Sequence, residues 1–530
     1  MRRFADLFRV LDQTTRTNDK VAALARYFSQ APDDDRLWTI ALLSGRRPKR
    51  LVTTAELRDV AARESGVPLW LLEESYNVVG DLAETMALLL PPGSAGSDLS
   101  LAQIMDDLTK LSGLDADARA RAITEHWAQL APDERLVFNK LITGGFRMGV
   151  SRKLMTRALA RATGIEEADL AHRLMGDWSP ATTTFRRLVL QPDPAEDTSR
   201  PYPFYLAYQL EDAPENLGPP EDWLAEYKWD GIRGQLIRRA GNWHLWSRGE
   251  ELITDRFPDL AACLDYLPDG TVLDGEILAW QGDAPLPFSA LQRRIGRKTV
   301  PKKVLAEAPA AFLAYDLLED GGTDIRQSPL RDRRARLDTL LAGAPEGANL
   351  RLSADVTAPD WAARAEARAR ARDVGAEGLM LKRLDVPYLD GRRKGDWWKW
   401  KVDPLMIDAV MIYAQAGHGR RANLFTDYTF AVWDGDDLVP FTKAYSGLTD
   451  GEFREITGWV RKNTLERFGP VRRVPPDQVF EIAFEGIQQS KRHKSGVALR
   501  FPRMNRWRKD KPPVEANTLA DLKDMLRAYG

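Results

Sequence analysis

The chain has 530 residues, more than one hydrophobic core usually supports, so two to four domains are expected. Its hydrophobic content of 44% is typical of a globular protein, no apolar run approaches the roughly 20 residues that span a bilayer, and a single cysteine excludes an intrachain disulfide and a cysteine-rich zinc site. The formal net charge of -1 would argue against a nucleic-acid partner only if the charges were evenly spread, and they are not.

The first six residues, Met-Arg-Arg-Phe-Ala-Asp, carry charges on both sides of their first apolar residues and lack a small-residue cleavage site. They therefore do not have the pattern of a secretory signal. We expect a cytoplasmic protein with no membrane partner.

Apolar residues recur at three- and four-residue spacing from Phe4 to about residue 190, beginning with Phe4, Leu7, Phe8 and Leu11. This spacing predicts amphipathic helices. The sequence Thr-Thr-Ala-Glu at 53–56 predicts a capping box, and Ala-Pro-Asp-Glu at 131–134 predicts another helix start. Because this region shows almost no strand pattern, we predict one all-helical domain over residues 1–195.

The composition shifts to Pro, Asp, Glu and Tyr between residues 191 and 222, which predicts a linker at 196–222. Beyond it, short β-like runs alternate with helical segments, and this alternation predicts an α+β domain over 223–403. After Pro404 the pattern becomes rich in strands, which predicts a small β-barrel over 404–530.

Residues 226–233, Glu-Tyr-Lys-Trp-Asp-Gly-Ile-Arg, place Lys228 between aromatic residues and ahead of an Asp-Gly turn. A lysine amine acts as a nucleophile only in its uncharged form, which a desolvated strand end with fixed neighbours favours. Lys228 is therefore a candidate covalent catalyst. Taken alone, the Lys-x-Asp-Gly pattern also fits a surface lysine before a type I turn.

Five further segments follow Lys228 in order. They are Ser-Arg-Gly-Glu at 247–250, Leu-Asp-Gly-Glu-Ile at 273–277, Phe-Leu-Ala-Tyr-Asp at 312–316, Ala-Glu-Gly-Leu-Met-Leu-Lys at 376–382 and Trp-Trp-Lys-Trp-Lys at 397–401. Together they resemble the nucleotidyl-transfer domain of ATP-dependent DNA ligases, and several motifs in order are far more specific than any one of them.

The resemblance extends over nearly the whole chain. Residues 499–511 resemble the last motif of the family, on its OB-fold domain, and 141–150 resemble the DNA-binding domain of its larger members. It implies a multidomain fold with an all-α N-terminal DNA-binding domain, an α+β nucleotidyltransferase (adenylation) domain and a C-terminal OB-fold β-barrel.

The resemblance implies that Lys228 attacks the α-phosphate of ATP and forms lysyl-AMP. Arg233 and Arg248 suit contacts to phosphate and to ribose or the 5′-phosphate of a nick, although Arg248 also fits a solvated hairpin arginine. The family places Glu276 and Glu377 near ribose and a catalytic metal, so Mg²⁺ is expected, with Mn²⁺ as an alternative. Each glutamate in isolation also fits a strand-end turn.

Tyr315 occupies the position where the family has an aromatic ring stacked on adenine. Glu226 matches an acid that can accept a hydrogen bond from the adenine amino group. Lys399 and Lys401 alternate along a predicted strand and so point to one face, where they would hold the α-phosphate of ATP and later the AMP phosphate.

Nine lysines and arginines stand against one acid between residues 491 and 511. Aromatic and apolar residues interleave with them, which favours a bound polyanion over a solvated face. By resemblance, this segment orients pyrophosphate during adenylation, and its expected participants are Arg503, Arg506, Arg508 and Lys511.

In the helical region, glycines flank Arg147, and Ser151 is expected to cap the helix that carries Arg152 and Lys153. Amides exposed at a helix start suit a DNA phosphate without reading its base. A helix–helix turn with solvated cations is the alternative. Residues 44–50, Ser-Gly-Arg-Arg-Pro-Lys-Arg, form a second basic loop.

An mRNA-capping guanylyltransferase or an RNA ligase shares the lysyl-nucleotide core but does not usually carry so large a helical DNA-binding domain. NAD-dependent ligases are disfavoured because one cysteine cannot build their zinc finger. A non-catalytic DNA-binding protein with a relict site would have lost the nucleophile or the acids, which are all present. We therefore expect a monomeric ATP-dependent DNA ligase that acts on nicked double-stranded DNA in repair; a repair helicase or nuclease partner cannot be inferred from the sequence.

Overall fold

A computed structural model describes residues 1–46, 52–93, 98–144, 146, 148–175, 178–191, 198–297, 300–344, 348–417, 421 and 423–530. The chain divides into two compact units. Unit 1 comprises Met1–Arg9, Arg47–Arg147 and Asp403–Gly530, and unit 2 comprises Val10–Arg46 and Met148–Val402.

The α-helices are α1 (Arg2–Gln13), α2 (Thr17–Gln30), α3 (Asp33–Leu43), α4 (Thr54–Ser65), α5 (Leu69–Val79), α6 (Leu82–Leu89), α7 (Leu101–Lys110), α8 (Ala116–Gln129), α9 (Pro132–Thr143), α10 (Arg152–Thr163), α11 (Glu167–Arg173), α12 (Phe288–Ile295), α13 (Lys302–Glu307), α14 (Leu330–Leu341), α15 (Trp361–Ala369), α16 (Asp450–Asn463) and α17 (Leu519–Tyr529). Within the described ranges, none of these helices is long and apolar enough to cross a bilayer.

The β-strands are β1 (Tyr205–Leu206), β2 (Tyr208–Gln209), β3 (Trp223–Trp229), β4 (Ile232–Arg239), β5 (Asn242–Ser247), β6 (Thr271–Gln281), β7 (Ala284–Pro285), β8 (Ala310–Asp320), β9 (Thr323–Asp324), β10 (Leu350–Leu352), β11 (Ala376–Arg383), β12 (Gly391–Arg392), β13 (Trp397–Lys401), β14 (Leu405–Ala416), β15 (Phe425–Asp434), β16 (Asp437–Ala444), β17 (Glu466–Phe468), β18 (Val471–Arg473), β19 (Val479–Phe484), β20 (Gly486–Gln489), β21 (Val497–Arg500) and β22 (Arg503–Trp507).

The helical character predicted for the first part of the chain is confirmed, since α1 to α11 follow one another up to Arg173. Their boundaries have local causes. The Thr53 hydroxyl accepts a hydrogen bond from the Glu56 amide at 3.2 Å and caps α4. The Glu134 carboxylate accepts one from the Ala131 amide at 2.9 Å at the start of α9.

Unit 2 holds the predicted α+β fold. One sheet has the order β10-β8-β6-β4-β5, and a second has the order β2-β13-β11-β3. The pairs β4–β6, β6–β8, β3–β11 and β11–β13 are antiparallel. Strands β3, of the second sheet, and β4, of the first, flank the Asp-Gly turn after Lys228. The chain therefore passes from one sheet to the other at that turn.

The segment predicted as a linker at 196–222 differs from that prediction. Tyr202, Phe204 and Tyr205 are buried, β1 pairs with β12, and β2 pairs with β13. The prolines and acids in this segment suggested a linker, but its aromatic side chains fill space between strands and so fold with unit 2. Residues 192–197 lie outside the described part of the chain.

The strand-rich C-terminal domain is also confirmed, within unit 1. Its sheet has the order β16-β15-β14-β18-β17, and β19 pairs with both β14 and β22. Phe430, Phe441, Phe480 and Ile482 are among the buried side chains that form its core. The predicted basic segment therefore lies largely on β21, β22 and the turn that follows.

Candidate nucleotidyl-transfer site

Lys228 lies near the end of β3, beside Glu377 of β11. The Lys228 Nζ donates a hydrogen bond to Glu377 Oε2 at 2.5 Å, and Lys401 Nζ lies 3.7 Å from the same oxygen. The Lys228 and Glu377 side chains are 22% and 19% exposed, so both can still meet a substrate. Three of the residues predicted to act together are therefore in contact.

A β-bulge brings Glu377 to this position. The register of β11 against β3 shifts between Ala376 and Leu379, which puts Glu377 on the same face as Lys228. Gly378 has a φ of 137°, and a Cβ at this residue would collide with the backbone of Trp400. Glycine at this position is what allows the bulge.

Lys399 and Lys401 share a face of β13, as their alternation predicts. Lys399 pairs with Met380 in the ladder and Lys401 with Gly378. Burial lowers the pKa of Lys399, and the nearby cations Lys401, Arg392, Lys228 and Arg248 lower it further. Such a concentration of positive charge suits a phosphate chain.

Glu276 lies on β6, in register with Arg233 of β4. Burial raises the pKa of the Glu276 carboxyl to about 7, although the charges of Lys228 and Arg233 oppose this rise. A Cβ on Gly231 would collide with the backbone of Ile277, so glycine lets the turn after Lys228 approach β6 closely. Glu276 therefore belongs to the same electrostatic environment as Lys228.

Arg233, predicted to contact phosphate or ribose, has hydrogen-bond partners within the protein. It forms two hydrogen bonds to the buried carboxylate of Asp274, at 3.1 and 2.6 Å, and a third to the carbonyl of Tyr205 at 2.7 Å. The Tyr388 hydroxyl donates to the same carboxylate at 2.7 Å. Arg233 thus joins β4, β6 and β1, whereas Arg248 is exposed in the turn after β5.

Tyr315 and Glu226 lie at the two ends of a buried charge network. Lys382 Nζ donates to Glu226 Oε2 at 2.6 Å and lies 3.9 Å from the centroid of the Tyr315 ring. Arg334 donates to the other oxygen of Glu226 at 2.8 Å. Both carboxylate oxygens of Glu226, the acid expected to accept a hydrogen bond from the adenine amino group, therefore already accept hydrogen bonds from cations.

Lys382 and Arg334 are the residues of this site that the sequence reasoning missed. In a regular strand, residues five apart such as Glu377 and Lys382 point to opposite faces. The bulge at Gly378 adds one residue to β11, so both side chains lie on the same face. Arg334 comes from α14, more than a hundred residues after Glu226 in the chain.

The four cations predicted to meet pyrophosphate lie on β22 and the turn after it. Arg503 donates to Glu485 at 2.9 Å, and Arg508 and Lys511 lie 3.1 and 2.8 Å from the same oxygen of Asp408. Arg508 also pairs with Asp510 at 2.9 Å. Arg506, which lies opposite Glu481 in the ladder, is exposed.

The predicted DNA contacts of the helical region separate into two groups. Ser151 caps α10, accepting a hydrogen bond from the Leu154 amide at 3.2 Å, and Lys153 is exposed. Arg152 instead forms an ion pair with Glu250, and burial lowers its pKa to about 10. Arg147 and residues 47–50 of the second basic loop lie outside the described residues.

Comparison with known proteins identifies the family of the chain. Three family models match the chain: "DNA ligase N terminus" at residues 1–160, "ATP dependent DNA ligase domain" at 205–401 and "ATP dependent DNA ligase C terminal region" at 421–511. A "Probable DNA ligase" of Koribacter versatilis (strain Ellin345) is 34% identical over 563 residues, which cover 100% of this chain and 97% of the relative.

The chain belongs to the ATP-dependent DNA ligase family. A "Probable DNA ligase" of Streptomyces avermitilis is similar too, at 31% identity over 98% of each chain. The solved structure called "Pmar-Lig_PreS3" shares the fold with a TM-score of 0.60 and 16% identity, over 95% of this chain and 99% of its own. The protein is therefore an enzyme of the ligase class.

In this ligase, Glu276→Gln is expected to remove a pH dependence of stability. The native carboxyl has a pKa of about 7 and the ordinary value is 4.5, so between these values the native state keeps a proton that the unfolded chain has released. The contribution of Glu276 to the free energy of unfolding therefore falls as the pH rises through this window.

Thermal unfolding in EDTA, without nucleotide, measures this effect. The Tm of Glu276→Gln relative to the wild type is expected to rise between about pH 5 and about pH 8. A difference in Tm that stays constant over this range would contradict the assignment.

Lys382→Met is expected to lower the free energy of unfolding by about 3 kcal/mol, because it leaves Glu226 buried with one of its two cations gone. Both the Lys382 and Glu226 side chains are only 2% exposed. Urea unfolding gives the value, and Lys303→Met, at a lysine that is 85% exposed, is the matched control. A loss below about 1 kcal/mol would mean that the pair contributes no more than a surface ion pair.

Proposed function

We propose that this ligase seals nicks in duplex DNA and that it carries AMP from ATP on Lys228 between two of its steps. The observation that carries the proposal is the contact of Lys228 Nζ with Glu377 Oε2 at 2.5 Å, at a strand end shared with Lys399 and Lys401. A lysine beside a proton acceptor, with cations around it, suits attack on a phosphate.

In the first step, Lys228 Nζ gives up a proton and attacks the α-phosphorus of ATP. A nitrogen–phosphorus bond forms, and the bond from that phosphorus to the bridging oxygen breaks, so pyrophosphate leaves. Glu377 lies within hydrogen-bond distance of the proton that must leave Lys228. Lys399 and Lys401 would neutralise the charge that develops on the α-phosphate.

In the second step, an oxygen of the 5′-phosphate at the nick attacks the same phosphorus, and the amine of Lys228 leaves. In the third, the 3′-hydroxyl attacks the 5′-phosphorus, the new phosphodiester forms and AMP is released. Arg248 would contact ribose or the nick phosphate, and Arg503, Arg506, Arg508 and Lys511 would contact the leaving pyrophosphate in the first step. Of these four, Arg503, Arg508 and Lys511 would have to exchange acidic partners for phosphate oxygens.

Tyr315 would stack on adenine, and Glu226 would accept a hydrogen bond from the adenine amino group. Lys382 lies between these two residues, so it would adjoin the edge of the base. Arg233 would act through Asp274 and Tyr388, holding the strands that carry Tyr315 and Glu276 in place.

The carboxylates of Glu276 and Glu377 suit Mg²⁺, with Mn²⁺ as a substitute. The described ranges contain no group of three or more acids, histidines or cysteines that could hold a metal ion. Mg²⁺ commonly takes one or two carboxylates and completes its shell with water and phosphate oxygens, so two acids beside a phosphate site suffice. The ion would supply charge neutralisation at the triphosphate.

The proposed active form is a monomer. The proposed biological setting is DNA repair, which leaves nicks of the kind that this chemistry closes.

Sealing of a labelled nicked duplex, with ATP, NAD or GTP supplied separately, tests the function. Sealing with ATP alone is expected. Sealing with NAD would assign the protein to another ligase class, and labelling of the protein by GTP without sealing would indicate a capping guanylyltransferase.

A further inference from the structure

The exposed side of α10 carries a row of cations that extends well beyond the predicted DNA contacts. Lys153, Arg157 and Arg161 are all exposed, while Met155, Ala158 and Leu159 on the other side of the helix are buried. We propose that Lys153, Arg157 and Arg161, named here the α10 track, bind the phosphates of one strand of duplex DNA. The proposal rests on the proposed function, since that function makes duplex DNA the partner.

The spacing of the α10 track fits a phosphate backbone. Residues four apart lie on nearly the same side of a helix and are separated by about 6 Å along its axis. The track is therefore about 12 Å long, and one DNA strand carries a phosphate about every 3.4 Å along the duplex axis. Three flexible cations can thus reach three or four consecutive phosphates.

The α10 track is unfavourable for the folded protein on its own. Like charges four residues apart repel one another, and a cation in the first helical turn is disfavoured by the helix dipole. The first turn of α10 contains no acid, and within the described residues none of the three track cations has an ion-pair partner. A bound polyanion would remove these costs, which supports a binding role.

The surroundings of the track favour an elongated partner. Arg157 and Arg161 line a groove of about 670 Å³ together with Asn18 and Val21 of α2. Glu166 and Glu167 line the same groove after the end of α10. These acids would repel a phosphate, so we expect the strand to leave the helix there and to enter at the Lys153 end.

Arg152 shows that the availability of a cation to DNA depends on which side of α10 it lies on, and not only on the number of cations in the helix. Arg152 is next to Lys153 in the chain, but its side chain is only partly exposed and pairs with Glu250, so it does not belong to the track. We therefore expect Arg152 to contribute to stability and the track to contribute to DNA affinity.

The salt dependence of DNA binding tests the proposal. Binding of nicked duplex by fluorescence anisotropy is measured at several KCl concentrations, for the wild type and for Arg157→Ala/Arg161→Ala. Because each phosphate that the protein neutralises contributes about 0.9 to the slope of log K against log[salt], the slope is expected to become less steep by about 2 in the double variant. Arg157→Lys/Arg161→Lys keeps the charges and is expected to keep the slope.

Two further variants serve as controls. Arg527→Ala removes an exposed arginine of α17 that pairs with Asp524, and Arg152→Ala removes the partly exposed arginine that pairs with Glu250. Neither is expected to change the slope, and Arg152→Ala is expected to lower the Tm. An unchanged slope in the Arg157→Ala/Arg161→Ala variant, with a wild type that binds and seals nicks, would overturn the α10 track alone. A wild type that neither binds nor seals nicked DNA would overturn the proposed function instead.

Discussion

Lys228→Arg is expected to abolish the covalent protein–AMP adduct, with a loss of at least about three orders of magnitude in the rate of adenylation. Arginine keeps the positive charge and can still pair with Glu377. It cannot act as the nucleophile, because a guanidinium stays protonated at any pH the protein survives. The substitution therefore separates the chemistry of the amine from its electrostatic role.

Radiolabel from α-labelled ATP, retained on the denatured protein, measures the adduct. Lys303→Arg, at an exposed lysine of α13, is the matched control and is expected to label like the wild type. Lys228→Arg is also expected to seal a nick that already carries AMP on its 5′-phosphate, since this step does not use the amine. Full labelling of Lys228→Arg would show that another residue carries AMP.

Glu377→Gln is expected to slow adenylation at least about 100-fold, because it removes the group placed to accept the Lys228 proton. It also removes the counter-charge of two lysines, Lys228 and Lys401, which are 2.5 and 3.7 Å from one carboxylate oxygen. The amide has the same shape, so the bulge at Gly378 is retained. The rate of adduct formation under single-turnover conditions is the measurement.

Glu366→Gln, at an exposed glutamate of α15, is the control for loss of one negative charge. Thermal unfolding of Glu377→Gln should match the wild type closely, since the carboxylate is partly exposed. An adenylation rate within about threefold of the wild type would remove Glu377 from the proton transfer and leave it with a structural role.

Patterns that depend on local spacing predicted the structure well. The helical repeat up to residue 190 and the strand runs after Pro404 lead to the observed classes of fold. The alternation of Lys399 and Lys401 correctly placed them on one face, because β13 is a regular strand. The resemblance assigned Lys228 and Glu377 to one site, and their side chains are 2.5 Å apart.

Features that depend on irregular backbone or on distant partners were not predictable in this way. The bulge at Gly378 reverses the alternation of β11, so the position of Lys382 in the site could not be predicted from a regular strand pattern. The ion pair of Arg233 could not be predicted because Asp274, its partner, lies 41 positions later in the chain. The buried aromatic residues of segment 196–222, which was predicted to be a linker, pack against residues that are distant in the sequence.

Arg152 and Lys153 illustrate the same limit for electrostatics. From the sequence, both adjacent cations were predicted to contact DNA. Neighbouring residues on a helix, however, point about 100° apart. One side chain is therefore turned toward Glu250, and the other lies on the exposed side with Arg157 and Arg161. Which cations are available to DNA is decided by the direction of each side chain, not by local charge density.

The central claim is that Lys228 carries AMP between ATP and DNA. Peptide mass spectrometry of the wild-type protein, after incubation with ATP and Mg²⁺ without DNA, tests it most directly. We predict one AMP group, on Lys228 of the peptide that contains residues 226–233, which disappears when free ATP is removed and nicked DNA is then added. AMP on any other residue, or an adduct that nicked DNA leaves in place, would contradict the account.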